Sequence, residues 1–298
     1  MALKQNRGDV YQEVTDRVIE ALERGVPPWR SPLIATAAGD PRNGVSKKPY
    51  RGVNIFLLLM TAMSRGYTSP YWLTFKQARS LDGSVRKGEK GTPIIFWKSF
   101  EKVNPDIGEP EKIVVARGYR VFNEMQCDLP NARYEPPPTP KPAQTEDVPA
   151  ADDILNGWPD FWGMLGEGPQ PAYRPSADHI LMPVPSNFVS KLEWYCTVFH
   201  ETVHATGHSK RLDRDGITKP QPFGSAGYAR EELIAELGAA FLCARAGIIS
   251  QTFDNSAAYL GNWIKRLRDD PKLIVQAAGK AQQAVDLILG EQLDAISE

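Results

Sequence analysis

No stretch of the 298-residue chain is apolar for long enough to span a bilayer. The longest unbroken apolar run, Ile55 to Met60, has six residues, where a membrane helix needs roughly 20. The opening MALKQNRGDV is polar and charged, so a chain without a signal peptide, working in the cytoplasm, is expected. Cysteine is scarce. Cys127, Cys196 and Cys243 are odd in number and show no paired metal spacing, which speaks against a disulfide framework and for reduced, partly buried thiols. No helix-turn-helix or Cys/His finger pattern is present, so sequence-specific duplex reading has no support, and no Walker-type glycine loop occurs. Histidine is equally rare, yet three of the four histidines fall within nine consecutive residues.

What remains is the composition of an ordinary globular protein, 42% hydrophobic and 24% charged, long enough for about two domains. The net charge of −1 conceals an asymmetry. Residues 1–130 hold 20 Lys+Arg against 14 Asp+Glu, and the remainder holds 15 against 22. Within residues 40–98 the count is 11 basic to 3 acidic. Opposite signs point to different partners for the two halves, and the basic half to a polyanion.

The segment between about residues 131 and 150 carries five prolines from Tyr134 to Asp147 and no apolar periodicity, the mark of a semi-rigid linker. Before it, Val10, Val14, Val18 and Leu22 predict a helix that stops ahead of Pro27-Pro28. Thr74 and Gln77 form a capping-box pair for a second helix. Thr92–Phe100 and Ile113–Phe122 read as a hairpin. Beyond the linker, His179–Val184 reads as a short strand, confined to a sheet edge by Pro183. Ser186 or Asn187 can cap a helix with the stripe Phe188, Leu192, Cys196, Phe199 and Val203. A further helix is expected from about Ala229 to Ala246, closed by Gly247, and two more to the C-terminus, the last starting at Pro271.

The histidine cluster is His200-Glu-Thr-Val-His204-Ala-Thr-Gly-His208. Histidines four apart share one helix face, so both imidazoles can reach one ion. Glu201 lies beside them, placed to take a proton from water as a general base. His208 is a poor third ligand, because eight residues of straight helix rise about 12 Å. The HExxHxxGxxH pattern would need a histidine at 210, where the chain has Lys210. The carboxylates downstream remain. Glu232 and Glu236 share a face of the next helix, with Glu232 favoured as ligand and Glu236 as its supporting neighbour, whereas Glu231 points about 100° away, toward solvent. Gly207, His208 and Tyr228 could line the site, or serve the fold alone. Zinc is the expected metal, with another divalent ion such as manganese as the alternative.

In the basic half, cations and aromatics alternate at Trp29-Arg30, Tyr50-Arg51, Trp72 through Lys76, and Arg86-Lys87 through Lys90. Such pairings bind single strands, with bases stacked on rings and phosphates neutralised by Lys and Arg. Trp72 and Trp97 can equally be core residues.

Together these motifs resemble a known family. Val26-Pro-Pro-Trp29-Arg30, Tyr50-Arg-Gly-Val-Asn54, Tyr71-Trp-Leu-Thr-Phe-Lys76 and Val85-Arg-Lys-Gly-Glu-Lys-Gly91 are similar to the N-terminal region of the ArdC antirestriction proteins and of plasmid TraC-type primases. HETVHATGHSKRL followed by REELIAELGAAF is similar to the zincin-type metallopeptidase domain of the same family. The resemblance implies an α+β protein of two domains. A small α+β single-stranded-DNA-binding domain would cover 1–130, and a mainly helical zincin-like domain with a short antiparallel sheet would cover 151–298. It further implies a plasmid-encoded hydrolase of the gluzincin type that protects incoming DNA from restriction during conjugation, with His200, His204 and Glu232 carrying the family's metal-ligand pattern. The alternatives from other classes are a single-strand-binding protein with a structural or inactive metal site, and a protease acting on DNA-bound proteins.

Overall fold

A computed structural model describes residues 9–25, 41–103, 110–130, 148–219, 221–222, 224–248 and 257–291. The expected proline-rich linker lies almost wholly outside the described residues, and its last members, Pro149 and Ala150, already belong to a helix.

The first half begins with α1 (Asp9–Glu23), whose Val14, Val18 and Leu22 are buried as their four-residue recurrence demands. After β1 (Arg42–Asn43), the run Ile55–Met60 falls inside α2 (Val53–Arg65). β2 (Tyr71–Thr74) passes directly into α3 (Phe75–Ser80), started by the expected capping box. Thr74 Oγ1 accepts from Gln77 N at 3.2 Å, and Gln77 Oε1 accepts from Thr74 N at 2.9 Å. β3 (Ser84–Val85) follows, then the expected hairpin, longer than its sequence pattern: β4 (Thr92–Val103) pairs antiparallel with β5 (Pro110–Asn123) from Thr92↔Val121 to Val103↔Pro110. β6 (Cys127–Asp128) pairs with β3. The main sheet has the order β1-β2-β5-β4.

The second half runs α4 (Pro149–Gly157), α5 (Phe161–Met164), β7 (Leu165–Glu167), β8 (Ala172–Arg174), β9 (His179–Met182), α6 (Lys191–Thr206), α7 (Asp215–Thr218), α8 (Ala226–Arg245), α9 (Ala257–Asp269) and α10 (Leu273–Leu289). Four expectations are corrected here. β9 is the central strand of its sheet, with β7 parallel on one side and β8 antiparallel on the other, so the sheet is mixed rather than wholly antiparallel. β9 ends at Met182, so Pro183 removes no ladder hydrogen bond and imposes no edge position. α6 starts a turn later than expected, because Pro185–Asn187 makes only a 3-10 turn and Ser190 provides the cap, accepting from Glu193 N at 3.2 Å. α10 likewise begins two residues beyond Pro271.

The two halves meet in one continuous apolar core. Val14 and Val18 of α1, Phe56 of α2, Phe241 of α8 and Ala277 of α10 belong to the same buried cluster. Phe56 stacks on Phe241 with ring centroids 4.8 Å apart. Polar contacts run across the same seam: Thr15 Oγ1 donates to Pro271 O at 2.7 Å, Gly52 N donates to Gln282 Oε1 at 3.1 Å, and Arg51 pairs with the buried Asp286. Among the described residues, no helix is long and apolar enough to cross a membrane.

Candidate metal centre

α6 and α8 pack face to face, and a glycine lets them approach. A Cβ on Gly238 would lie 2.7 Å from Val203 Cγ2, so only glycine fits where the helices cross. Glycine inside a helix costs about 1 kcal/mol relative to alanine. That cost is offset by the packing it allows, with Phe199 and Val203 of α6 and Leu233 and Leu237 of α8 fully buried.

This approach brings the expected residues together. Ligand atoms of His200, His204 and Glu232 all lie within 4.8 Å of one another. His200 Nε2 and His204 Nε2 are 3.1 Å apart, and the Glu232 oxygens lie 3.5 Å from the first and 3.6 Å from the second. Two ligands bonded at about 2.1 Å around a tetrahedral ion sit roughly 3.4 Å apart. Two imidazoles and a carboxylate at these separations fit one divalent cation. His208 stands apart, beyond the end of α6, where its Nδ1 accepts from Lys210 N at 3.2 Å and lies 3.8 Å from Asp178 Oδ2. Tyr228, in the first turn of α8, has its hydroxyl hydrogen-bonded to Glu232. Its phenol is pushed up to about 12 by burial and then by Glu232 and Glu201.

Glu201 is almost buried beside this cluster, and its Oε2 accepts from Tyr173 N at 2.7 Å. The amide that holds it belongs to β8, the edge strand next to α6. β8 is itself tied down: Tyr173 Oη donates to Asp178 Oδ1 at 2.8 Å, and Asp178 is paired with Arg211. Burial alone would raise the Asp178 carboxyl, but Arg211 and Tyr173 outweigh it and hold it low.

A carboxylate that the spacing did not single out also stands behind the ligands. Glu231, expected to face solvent, is buried, and its Oε1 lies 3.3 Å from His204 Nδ1. Arg214 closes over it, with Nη2 to Oε1 at 2.6 Å and Nε to Oε2 at 3.1 Å. The same guanidinium donates to Val203 O and Thr206 Oγ1, both at 2.7 Å. Burial would raise the Glu231 carboxyl, but His204 and Arg214 together bring it down to about 2. It therefore stays an anion that can accept from His204 Nδ1–H and turn Nε2 toward the other ligands. Gly207 makes room for this arrangement, since a Cβ there would meet Arg214 Nη2 at 2.9 Å. Glu236, the expected supporter, is buried one turn further along α8, near enough for its charge to help raise His200. Burial opposes that rise, and Glu232, Glu201 and Glu236 outweigh it.

The nucleic-acid candidates fare unevenly. Trp29 and Arg30 lie outside the described residues. Tyr50 and Trp72 are 6% and 1% exposed and pack with Leu58, Ile94 and Val121, so neither ring can stack on a base. Arg51 is engaged by Asp286. Lys76, Arg86, Lys87 and Lys90 are exposed. Trp97 is partly buried against the main core.

Residues 8–122 match the family model described as the N-terminal domain of anti-restriction factor ArdC, and residues 164–280 that of a zincin-like metallopeptidase. The chain is 38% identical to the metal-free crystal structure of the antirestriction protein ArdC from plasmid R388, at a TM-score of 0.74, covering 95% of this chain and 97% of that one. Against the Mn(II)-bound structure of the same protein the identity is 37% and the TM-score 0.76, covering 97% of this chain and 100% of that one. The uncharacterized protein y4eC of Sinorhizobium fredii (strain NBRC 101917 / NGR234) is 37% identical over 98% of this chain and 95% of its own length. A DNA primase TraC of Escherichia coli is 36% identical over 97% of this chain, which spans only 28% of the primase.

Proposed function

The chain belongs to the ArdC antirestriction family, and we propose that it binds single-stranded DNA through its basic half and carries a metal-dependent peptidase site at His200, Glu201, His204 and Glu232, protecting incoming DNA from restriction. The single observation that carries the peptidase reading is Glu201, a carboxylate fixed by the Tyr173 amide right beside a three-residue ligand set. A merely structural metal site has no use for it.

A divalent cation held by His200, His204 and Glu232 supplies Lewis acidity toward a water and a substrate carbonyl. Zinc suits the two imidazoles and one carboxylate, and the Mn(II)-bound relative supports manganese as the alternative. The protein's own part is to orient and to move protons. Tyr173 N–H holds Oε2 of Glu201, leaving Oε1 to take a proton from the attacking water and return it to the leaving amine. Glu231 holds His204 in the tautomer whose Nε2 faces the other ligands. An extended peptide would lie along β8, the edge strand whose outer side already meets the site, rather than along β9, which has a neighbour on both sides. The TraC relatives and the excess of basic residues in the first half support the nucleic-acid partner.

The test is metal analysis of the purified full chain combined with a peptide-hydrolysis assay, with and without single-stranded DNA. About one divalent ion per chain and metal-dependent cleavage are expected. Stoichiometric metal with no cleavage of any protein substrate, including DNA-bound ones, would reduce the site to a structural one.

A further inference from the structure

The buried positions of Tyr50 and Trp72 take two of the expected stacking rings away from the DNA-binding reading, and the surface supplies others. We infer that the corner where β1 and β2 meet α3 is a base-stacking platform for single-stranded DNA, with Phe75 as its principal ring and Tyr71 beside it. The inference rests on the DNA-binding reading above and names the residues that would carry it.

Phe75 is 48% exposed, unusual for a phenylalanine opening a helix whose other face is packed. Arg79, one turn on, lies over its ring at 5.2 Å, and Lys47 Nζ lies over the Tyr71 ring at 3.7 Å. The two rings, each with its cation, thus sit four residues apart in sequence, at one strand-to-helix junction. The turn that carries Lys47 is fixed to the same junction. Asn43 Oδ1 accepts from Val45 N at 2.9 Å and Ser46 N at 3.0 Å, and the Asn43 amide is hydrogen-bonded to that of Gln77 in α3 at 3.2 Å. Lys47 holds a left-handed backbone, φ 62°, within this turn.

The charge of the segment decides the kind of partner. Residues 41–81 contain seven basic residues and no acidic one. Arg51 and Arg65 are drawn off by Asp286 and Glu89, whereas Arg42, Lys47 and Lys48 lie on β1, which pairs with β2, and on the turn after it, and Lys76 and Arg79 lie on α3. A ring with a cation next to it offers a base its face and a phosphate its counter-charge in one place. Paired bases in a duplex cannot reach the ring, so the strand must be single.

The experiment uses the full chain and a fluorescein-labelled oligo(dT), with affinity read by fluorescence anisotropy. Phe75→Ala should weaken binding about tenfold, and Phe75→Trp should restore it. On an abasic strand of equal length Phe75→Ala should change little. Lys76→Gln and Arg79→Gln should each flatten the salt dependence, by about 0.7 in the logarithmic slope for each phosphate no longer neutralised. Tyr119→Ala should bind like wild type, since Tyr119 shares the opposite face of the sheet with Val121 and Trp72. If wild type does not bind oligo(dT), the DNA-binding reading falls and takes this surface with it. If wild type binds and Phe75→Ala binds equally well, or is weakened as much on the abasic strand, this surface is wrong while the DNA-binding reading stands.

Discussion

Replacing Arg214 by Met should leave a buried carboxylate without its partner, at a cost set by the geometry of the pair. Arg214 and Glu231 are 6% and 4% exposed, and the guanidinium gives Glu231 hydrogen bonds from both Nε and Nη2. Breaking one side of a buried ion pair costs about 3–5 kcal/mol, whereas exchanging both partners for apolar side chains is often close to neutral. Arg214→Met alone should therefore lower the melting temperature of the metal-free protein by on the order of 10 °C, and Arg214→Met with Glu231→Leu by clearly less. An independent check comes from acid. The Glu231 carboxyl is depressed from 4.5 in the unfolded chain to about 2 in the folded one. A depressed carboxyl stabilises the fold above its unfolded pKa, and that stabilisation disappears as pH falls from 4.5 toward 2. At about 1.4 kcal/mol per unit it amounts to about 3 kcal/mol, and the Arg214→Met variant should lose much of this acid-dependent part. The assay is thermal unfolding followed by circular dichroism between about pH 7 and about pH 3. If the double variant is as unstable as Arg214→Met alone, Arg214 does not act by compensating the Glu231 charge.

Other outcomes follow from the same geometry. His200→Ala, His204→Ala and Glu232→Ala should each abolish tight metal binding measured by calorimetry, and His208→Ala should not, since His208 lies outside the ligand cluster. Glu231→Gln should weaken the metal about 10–100-fold by removing the anion behind His204; a Glu231→Gln variant with wild-type affinity would show that this anion does not matter. Gly238→Ala should destabilise the fold by about 1–3 kcal/mol despite better helix propensity, because the new Cβ meets Val203; denaturant unfolding would show it, and a stabilised variant would contradict the close crossing. A fragment ending near residue 130 should not fold cooperatively, because it strips Phe241 and α10 from the shared core. A cooperative melt of that fragment would show that its half of the core suffices alone.

Sequence signals are legible where they concern one element at a time. The four-residue recurrence from Val10 to Leu22 gives α1, and the Thr74–Gln77 pair gives the start of α3. His200, His204 and Glu232 come together because spacing on a helix face is a local property and α8 packs directly against α6. What is not legible depends on which neighbour covers a face. Glu231 does point away from Glu232, but the chain after Gly207 folds back and lays Arg214 over that side, which no periodicity shows. Trp72 alternates with Tyr71 along β2, so one ring has to face the core and the other the α3 side, and composition does not say which. The joint core between the halves is equally hidden, since a proline-rich stretch suggests separation and says nothing of how the flanking surfaces pack.

The proposed peptidase role stands or falls on Glu201. A Glu201→Gln chain, verified to hold metal and single-stranded DNA like wild type, should fail to protect incoming DNA from restriction in a mating assay. Protection equal to wild type would show that proteolysis is not how the protein acts, and would leave a DNA-binding protein with a metal-stabilised fold.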